Sequence, residues 1–151
     1  MIITKHVSSS AADFTKYAFQ CCDTPEATSI LKHYLNLTES LGDDDAEKSA
    51  KNASLLHQKL STSTIDSELR RVFSLEDDKW NDIKSIRSNL SIPSSTMIQF
   101  IHKHRSSTGT EKIAIAFCPM APGRWLQRTP IIHNPYFGST MLTCGVFEEA
   151  K

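Results

Sequence analysis

The chain has 151 residues, 17 Lys and Arg against 17 Asp and Glu, with 39% apolar and 23% charged residues, the balance of one ordinary globular domain. A chain of this length buries roughly two-thirds of its unfolded surface, so it needs no metal or disulfide for stability, and zero formal charge argues against a nucleic-acid binder. From Lys103 onward six basic residues face three acidic ones, too small an excess for a phosphate-binding stripe, and the longest apolar run, Ile113 to Ala121, is about half of a bilayer span.

The opening Met1 to His6 lacks the basic region, long apolar stretch and small-residue cleavage site of a secretory signal, which leaves a cytoplasmic chain or a trimmed leader. Residues 1–23 read as a polar N-terminal tail and 24–151 as one domain, with helices over about 24–105 and a motif region over 112–147. Thr24 is a natural N-cap with Pro25 at the first helical position, and Ala27, Ile30, Leu31, Tyr34, Leu35 and Leu41 form one stripe that ends at Gly42. Asp43, Asp44 and Asp45 supply a cap and negative charge for a second helix with the stripe Ala46, Ala50, Ala53, Leu56, His57 and Leu60. A third pattern, Leu69, Val72, Phe73, Trp80, Ile83, Ile86 and Leu90, misses its beat at Glu76, which allows either a continuous helix bent there or a broken one. Pro93 interrupts before a fourth short helix through Met97, Ile98 and Ile101 to about Arg105. The expected fold is therefore mostly α: an up-and-down four-helix bundle followed by a C-terminal Pro/Gly-rich extension with a short strand or hairpin.

Four of the five glycines and four of the six prolines lie between Gly109 and Gly145. There Ile113 to Phe117 alternates large and small side chains as a strand does, and Pro119 follows Cys118 where the strand must stop. Of the eight sulfur-bearing residues, four fall in this region: Cys118 and Met120, then Met141 and Cys144. In an extended stretch Cys118 and Met120 share a side, and Met141 and Cys144 share a face if Thr140 to Gly145 makes one helical turn. If the turn at Asn134-Pro135-Tyr136-Phe137-Gly138 folds the second pair onto the first, four soft donors meet in one pocket. Copper(I) fits thiolate plus thioether best, silver could mimic it, and zinc would make poor use of Met. The competing expectation is a Cys118–Cys144 disulfide in an oxidising compartment, which would abolish thiolate ligation.

The same residues carry a family resemblance. Phe117-Cys118-Pro119-Met120-Ala121, then Trp125-Leu126, then Asn134-Pro135-Tyr136-Phe137-Gly138, then Met141-Leu142-Thr143-Cys144-Gly145 resemble the C-terminal signature of the bacterial domain of unknown function 3347. Arg87, Leu90, Ser94 and Met97 occupy the spacing of the family's R-x-x-F-x-x-x-S-x-x-M stretch, with Leu90 in place of the aromatic, so the likeness covers about residues 25–149. The resemblance implies a helical bundle followed by this motif, a periplasmic or secreted location, and binding of copper or a related metal. It also implies a link to copper/silver efflux adaptors or metallochaperones. The link from Met120 to Trp125 is shorter than the family's usual insert, and His133 stands where members more often have Arg or Lys.

His133 is a secondary candidate ligand, although a His beside a turn is more often hydrogen-bonded at the surface. Cys118, His133 and Asn134 contain the residue types of a cysteine hydrolase, with no oxyanion hole or nucleophile-bearing helix start to complete one, so no enzyme is expected. Cys21 and Cys22 read as incidental, because adjacent side chains do not readily converge on one ion. His102 and His104 fit the last-turn carbonyls of a helix, and His33 and His57 fit a bundle interior. Trp125 serves as a shield or core residue and Tyr136 and Phe137 anchor the turn, whereas in the alternative of a disulfide-locked interaction module Trp125, Tyr136 and Phe137 are presented to a partner.

Overall fold

The computed structural model describes residues 11–74 and 80–150. Among these, α1 covers Ala11–Tyr17, β1 Phe19–Cys21, α2 Pro25–Gly42, α3 Ala46–Ser61, α4 Ser67–Val72, α5 Ile83–Ser88 and α6 Ser91–Lys103. The strands β2 (Glu111–Phe117), β3 (Arg124–Gln127) and β4 (Val146–Glu148) follow, with a 3-10 turn at Gly138–Thr140 between the last two.

Helix starts follow local side-chain chemistry. The side chains of Thr24, Asp45, Asp66 and Asp82 accept from the backbone N–H groups of Ala27, Lys48, Leu69 and Ser85, satisfying donors that the first turn leaves unpaired. The α2 stripe is buried as expected. That of α3 is shifted: Ser49, Ala53, Leu56 and Leu60 face inward, Ala46 is exposed, and Ala50 and His57 are half-buried. Small side chains along this seam admit polar links, Ser49 to Ser40 at 3.2 Å and the Asn52 amide to the Asn36 carbonyl at 3.0 Å. The third helical pattern is divided between α4 and α5, and Glu76, where the pattern misses its beat, lies outside the described residues. Pro93 does not interrupt the fourth helix: it sits in the first turn of α6, where its missing N–H would have had no intrahelical partner.

The four-helix bundle expectation is overturned by a four-stranded antiparallel sheet, which makes the fold mixed α and β. The central strand is β2, buried on both faces from Ile113 to Ala116. β1 pairs with its first half, Phe19 opposite Ile113 and Cys21 opposite Glu111. β3 and β4 both pair with its second half, through Ile115, Ala116 and Phe117, and so must lie on opposite edges. Two of these strands are only three residues long, too short to show a period in the sequence. Residues 11–23, read as a tail, carry α1 and β1, and Phe14, Phe19, Cys21 and Cys22 are buried in the core.

Helices α2 and α6 pack on β3 and position the C-terminal segment. Tyr34 of α2 joins the three elements, being fully buried, with its hydroxyl 2.8 Å from the Ser94 hydroxyl of α6 and 3.3 Å from the Leu126 N–H, which donates to it. Burial pushes its phenol up to about 12. Tyr34→Phe is expected to leave Leu126 and Ser94 short of a partner and to cost about 1–2 kcal/mol, read from the midpoint of urea unfolding.

Candidate functional site

The sulfur-bearing segment begins where β2 ends. The Ala121 N–H donates to the Cys118 carbonyl at 3.0 Å, closing a turn with Pro119 at its second position, where a fixed φ is favourable. This turn replaces the extended stretch expected there, so the side alternation that would have aligned Cys118 with Met120 does not apply. Cys118 is fully buried and Met120 is 67% exposed. At the other end, the Cys144 N–H donates to the Met141 carbonyl at 3.1 Å, a single turn of the kind that the second cysteine and methionine pair required. Met141 and Cys144 are half-buried.

Cys118 and Cys144 come together, as a disulfide across a sequence separation of 26 with an ordinary Cα–Cα distance of 5.6 Å. Of the two expectations for these sulfurs, the disulfide pairing is present, and the two cysteines are the donors that the fold brings together. Among the described residues no cluster of three or more His, Cys, Asp or Glu is placed to hold a metal ion. The donor set expected from the sequence differs from such a cluster, because half of it is thioether.

Asn134 holds the folded-back segment. It is fully buried, its amide donates to the Cys144 carbonyl at 2.9 Å, its backbone N–H donates to Leu142 at 2.8 Å, and its side-chain oxygen accepts from Tyr136 N–H at 2.8 Å. An Asn can supply donor and acceptor at once in this manner, which Asp or Leu cannot. Pro135 is buried beside it, and Gly138 closes the turn by donating to the Asn134 carbonyl at 3.0 Å. Gly138 has φ +59, and a Cβ there would strike Asp44 and Arg87, so both conformation and space call for glycine. Gly145 lies against the Trp125 ring and the Phe117 carbonyl.

Trp125 is fully buried, its ring N–H donates to Gln127 at 2.9 Å, and it meets Tyr136 edge-on at 6.0 Å. Tyr136 is buried too, donates its hydroxyl to the Arg124 carbonyl at 2.9 Å, and is held well above the ordinary phenol range by that burial. Phe137 packs on the core while half-buried. These rings anchor the turn, leaving no docking patch made of Trp125 and Tyr136.

His133 Nε2 lies 2.8 Å from an Asp43 carboxylate oxygen, which engages it with the turn between α2 and α3. Three further histidines are occupied locally: His33 with the Ser29 carbonyl at 2.7 Å, His104 with Asp23 at 2.8 Å, and His102 stacked on Phe19, with burial lowering its affinity for a proton.

Two supports, Gln127 and Arg87, have contacts that no local pattern in the sequence marks. Gln127, nearly fully buried, accepts from Trp125 and from the His133 N–H and donates to the Thr129 and Ile131 carbonyls at 2.8 Å. Nothing in Arg124-Trp125-Leu126-Gln127 marks it. Arg87 donates to the carbonyls of Pro135, at 3.0 Å, and Leu41, and pairs with Asp44 at 2.7 Å, while Asp44 also accepts from Ser139 N–H at 2.9 Å. The Asp43-Asp44-Asp45 run was read as helix capping, which holds for Asp45 alone. Comparison with family models, curated proteins and solved structures finds no match.

Gln127→Leu should destabilise by about 2–4 kcal/mol in urea unfolding, because it strips partners from several buried backbone and ring groups at once. The Arg87 guanidinium holds the Asp44 carboxyl down to about 2, against 3.8 ordinarily. A carboxyl depressed on folding stabilises above its unfolded value and loses that contribution as pH falls from about 4 to about 2. Between pH 5 and 2 the wild type should therefore lose more stability than Asp44→Asn, measured as the difference in urea midpoints.

Proposed function

We propose that the reduced chain is a non-catalytic soft-metal module, which holds copper(I), or silver(I) in its place, between the thiolates of Cys118 and Cys144. One observation carries this reading: two sulfurs 26 residues apart meet at the mouth of a segment that buried hydrogen bonds hold in shape. A monovalent soft cation accepts two thiolates, whose charge it partly neutralises, and it takes thioether donors where they are within reach. Met120 is exposed beside Cys118, and Met141 opens the turn that ends in Cys144. Exposed thioether favours exchange over storage, so the module captures copper(I) and hands it on. The resemblance to domain of unknown function 3347 supports the same reading through its Cys-Pro-Met and Met-Leu-Thr-Cys-Gly strings.

In the disulfide form the pair offers no thiolate, so ligation requires a two-electron reduction by a dithiol reductant. Cystines at both cysteine pairs support a periplasmic or secreted location, beside an efflux adaptor or a metallochaperone as partner. Among the described residues no helix is long and apolar enough to cross a membrane. The alternative, a disulfide-locked interaction module without metal, has the cystine in its favour, but two of the three aromatic residues assigned to its contact surface are buried.

The test is anaerobic titration of fully reduced protein with copper(I) against a chromophoric competitor. One equivalent should bind to the wild type, none to the air-oxidised protein, and at least tenfold less tightly to Cys118→Ser, with smaller losses for Met120→Leu and Met141→Leu. Equal competition by wild type and Cys118→Ser removes this site, and retention of bound copper(I) by the oxidised protein places it elsewhere.

A further inference from the structure

The second cystine joins neighbours. Cys21 and Cys22 are bonded to each other, a sequence separation of one. A disulfide stabilises chiefly by closing a loop of chain in the unfolded state, and this one closes none, unlike the 26-residue span closed by Cys118–Cys144. Cys21 and Cys22, expected to be incidental in a polar tail, lie at the end of β1 and just past it, bonded to each other.

The two sulfurs have different surroundings. Cys21 is fully buried with its sulfur 3.4 Å from the His104 carbonyl oxygen. Cys22 lines an open cavity of about 660 Å³ formed between the start of α2 and the loop before β2. Gly109 packs so closely on the peptide joining the two cysteines that a Cβ there would collide with it, which keeps that wall of the cavity free of side chain. Charged residues of both signs are among the cavity's lining: Asp23, whose carboxylate also meets His104 Nδ1 at 2.8 Å, and Lys32. Lys32 is half exposed and only loosely paired, 3.8 Å from Glu111.

We infer that Cys21–Cys22 is a thiol-exchange site whose substrate is a low-molecular-weight thiol bearing both ammonium and carboxylate groups, bound in this cavity with its carboxylate toward Lys32 and its ammonium toward Asp23. This inference stands apart from the copper(I) reading and uses none of its residues. The substrate thiolate enters through the cavity and attacks the sulfur of Cys22. The sulfur–sulfur bond breaks, and Cys21 leaves with the electron pair and takes the proton released by the incoming thiol. Its new S–H donates to the His104 carbonyl oxygen already beside it. A second substrate thiolate attacks the substrate sulfur of the mixed disulfide, forming the symmetrical substrate disulfide and releasing Cys22 as a thiolate that is then protonated. Two thiols are oxidised, one cystine is reduced, and protons and electrons balance.

Glutathione serves as the zwitterionic probe and 2-mercaptoethanol as the neutral one, each added to oxidised full-length protein, followed by acid quench, alkylation and peptide mass mapping. Cys21 and Cys22 should become labelled before Cys118 and Cys144. With oxidised glutathione, Cys21→Ser should form the mixed disulfide at Cys22, and Cys22→Ser should leave Cys21 unmodified. Thr108→Trp, which narrows the cavity from an exposed loop, should slow the glutathione reaction about tenfold. Lys32→Gln should slow glutathione roughly threefold and leave 2-mercaptoethanol at the wild-type rate. Labelling of Cys118 and Cys144 first, adduct formation at Cys21, or a wild-type glutathione rate in Thr108→Trp overturns the inference. If a cysteine variant fails to show native circular dichroism, the labelling order in the wild type decides the matter alone.

Discussion

Chain that runs through a protein interior outside any helix or sheet must find a partner for every backbone polar group, and between β3 and β4 this requirement falls on a few side chains. Gln127 serves the first part of that segment, Asn134 the second, and Arg87 reaches across from α5 to the Pro135 carbonyl between them. Each reads both directions of the hydrogen bond or supplies several donors from a fixed plane, so none has a neutral substitute of equal capability. The position of Cys144 opposite Cys118 depends on this scaffold, since the turn that bears Cys144 has no ladder partner until β4 begins.

The acidic turn after α2 is the scaffold's outer brace. Asp43 meets His133, and Asp44 meets both Arg87 and the Ser139 N–H, which fastens two points of the C-terminal segment to one short turn between α2 and α3. Both carboxylates are partly in solvent, where single ion pairs contribute little. Their effect is geometric, because Gly138 can approach Asp44 and Arg87 so closely only without a side chain. The residue that resembles a family position at Arg87 thus acts on the motif through its backbone, at a distance of 48 residues along the chain.

The two cystines divide the chemistry of sulfur in this protein. Cys118–Cys144 ties the end of the central strand to the folded-back segment, where its oxidation state decides whether thiolates exist for a soft cation. Cys21–Cys22 joins neighbours and closes no span, and Cys22, though buried, lies among the residues that line a cavity. The first pair closes a span of 26 residues, whereas the second joins neighbours at the end of β1.

Capping residues and 3.6-residue periodicity operate within a few turns of chain, which is why Thr24, Asp45 and the α2 stripe were legible as they stand and why Gly42 marked an end. The convergence of Cys118 with Cys144 was readable as a possibility from Pro, Gly and sulfur placement. The turn at Pro119 that sends Met120 outward was not, because C-x-M has one spacing in a strand and another in a turn. The sequence alone determined where helices start and which sulfurs lie near the ends of one excursion. Tertiary structure decided the sheet, since β1 and β4 are three residues each and exist only through pairing with β2, far away in the chain. It also decided the roles of Gln127, Arg87 and the cavity beside Cys22, because hydrogen bonds between distant segments leave no periodic trace in the order of amino acids.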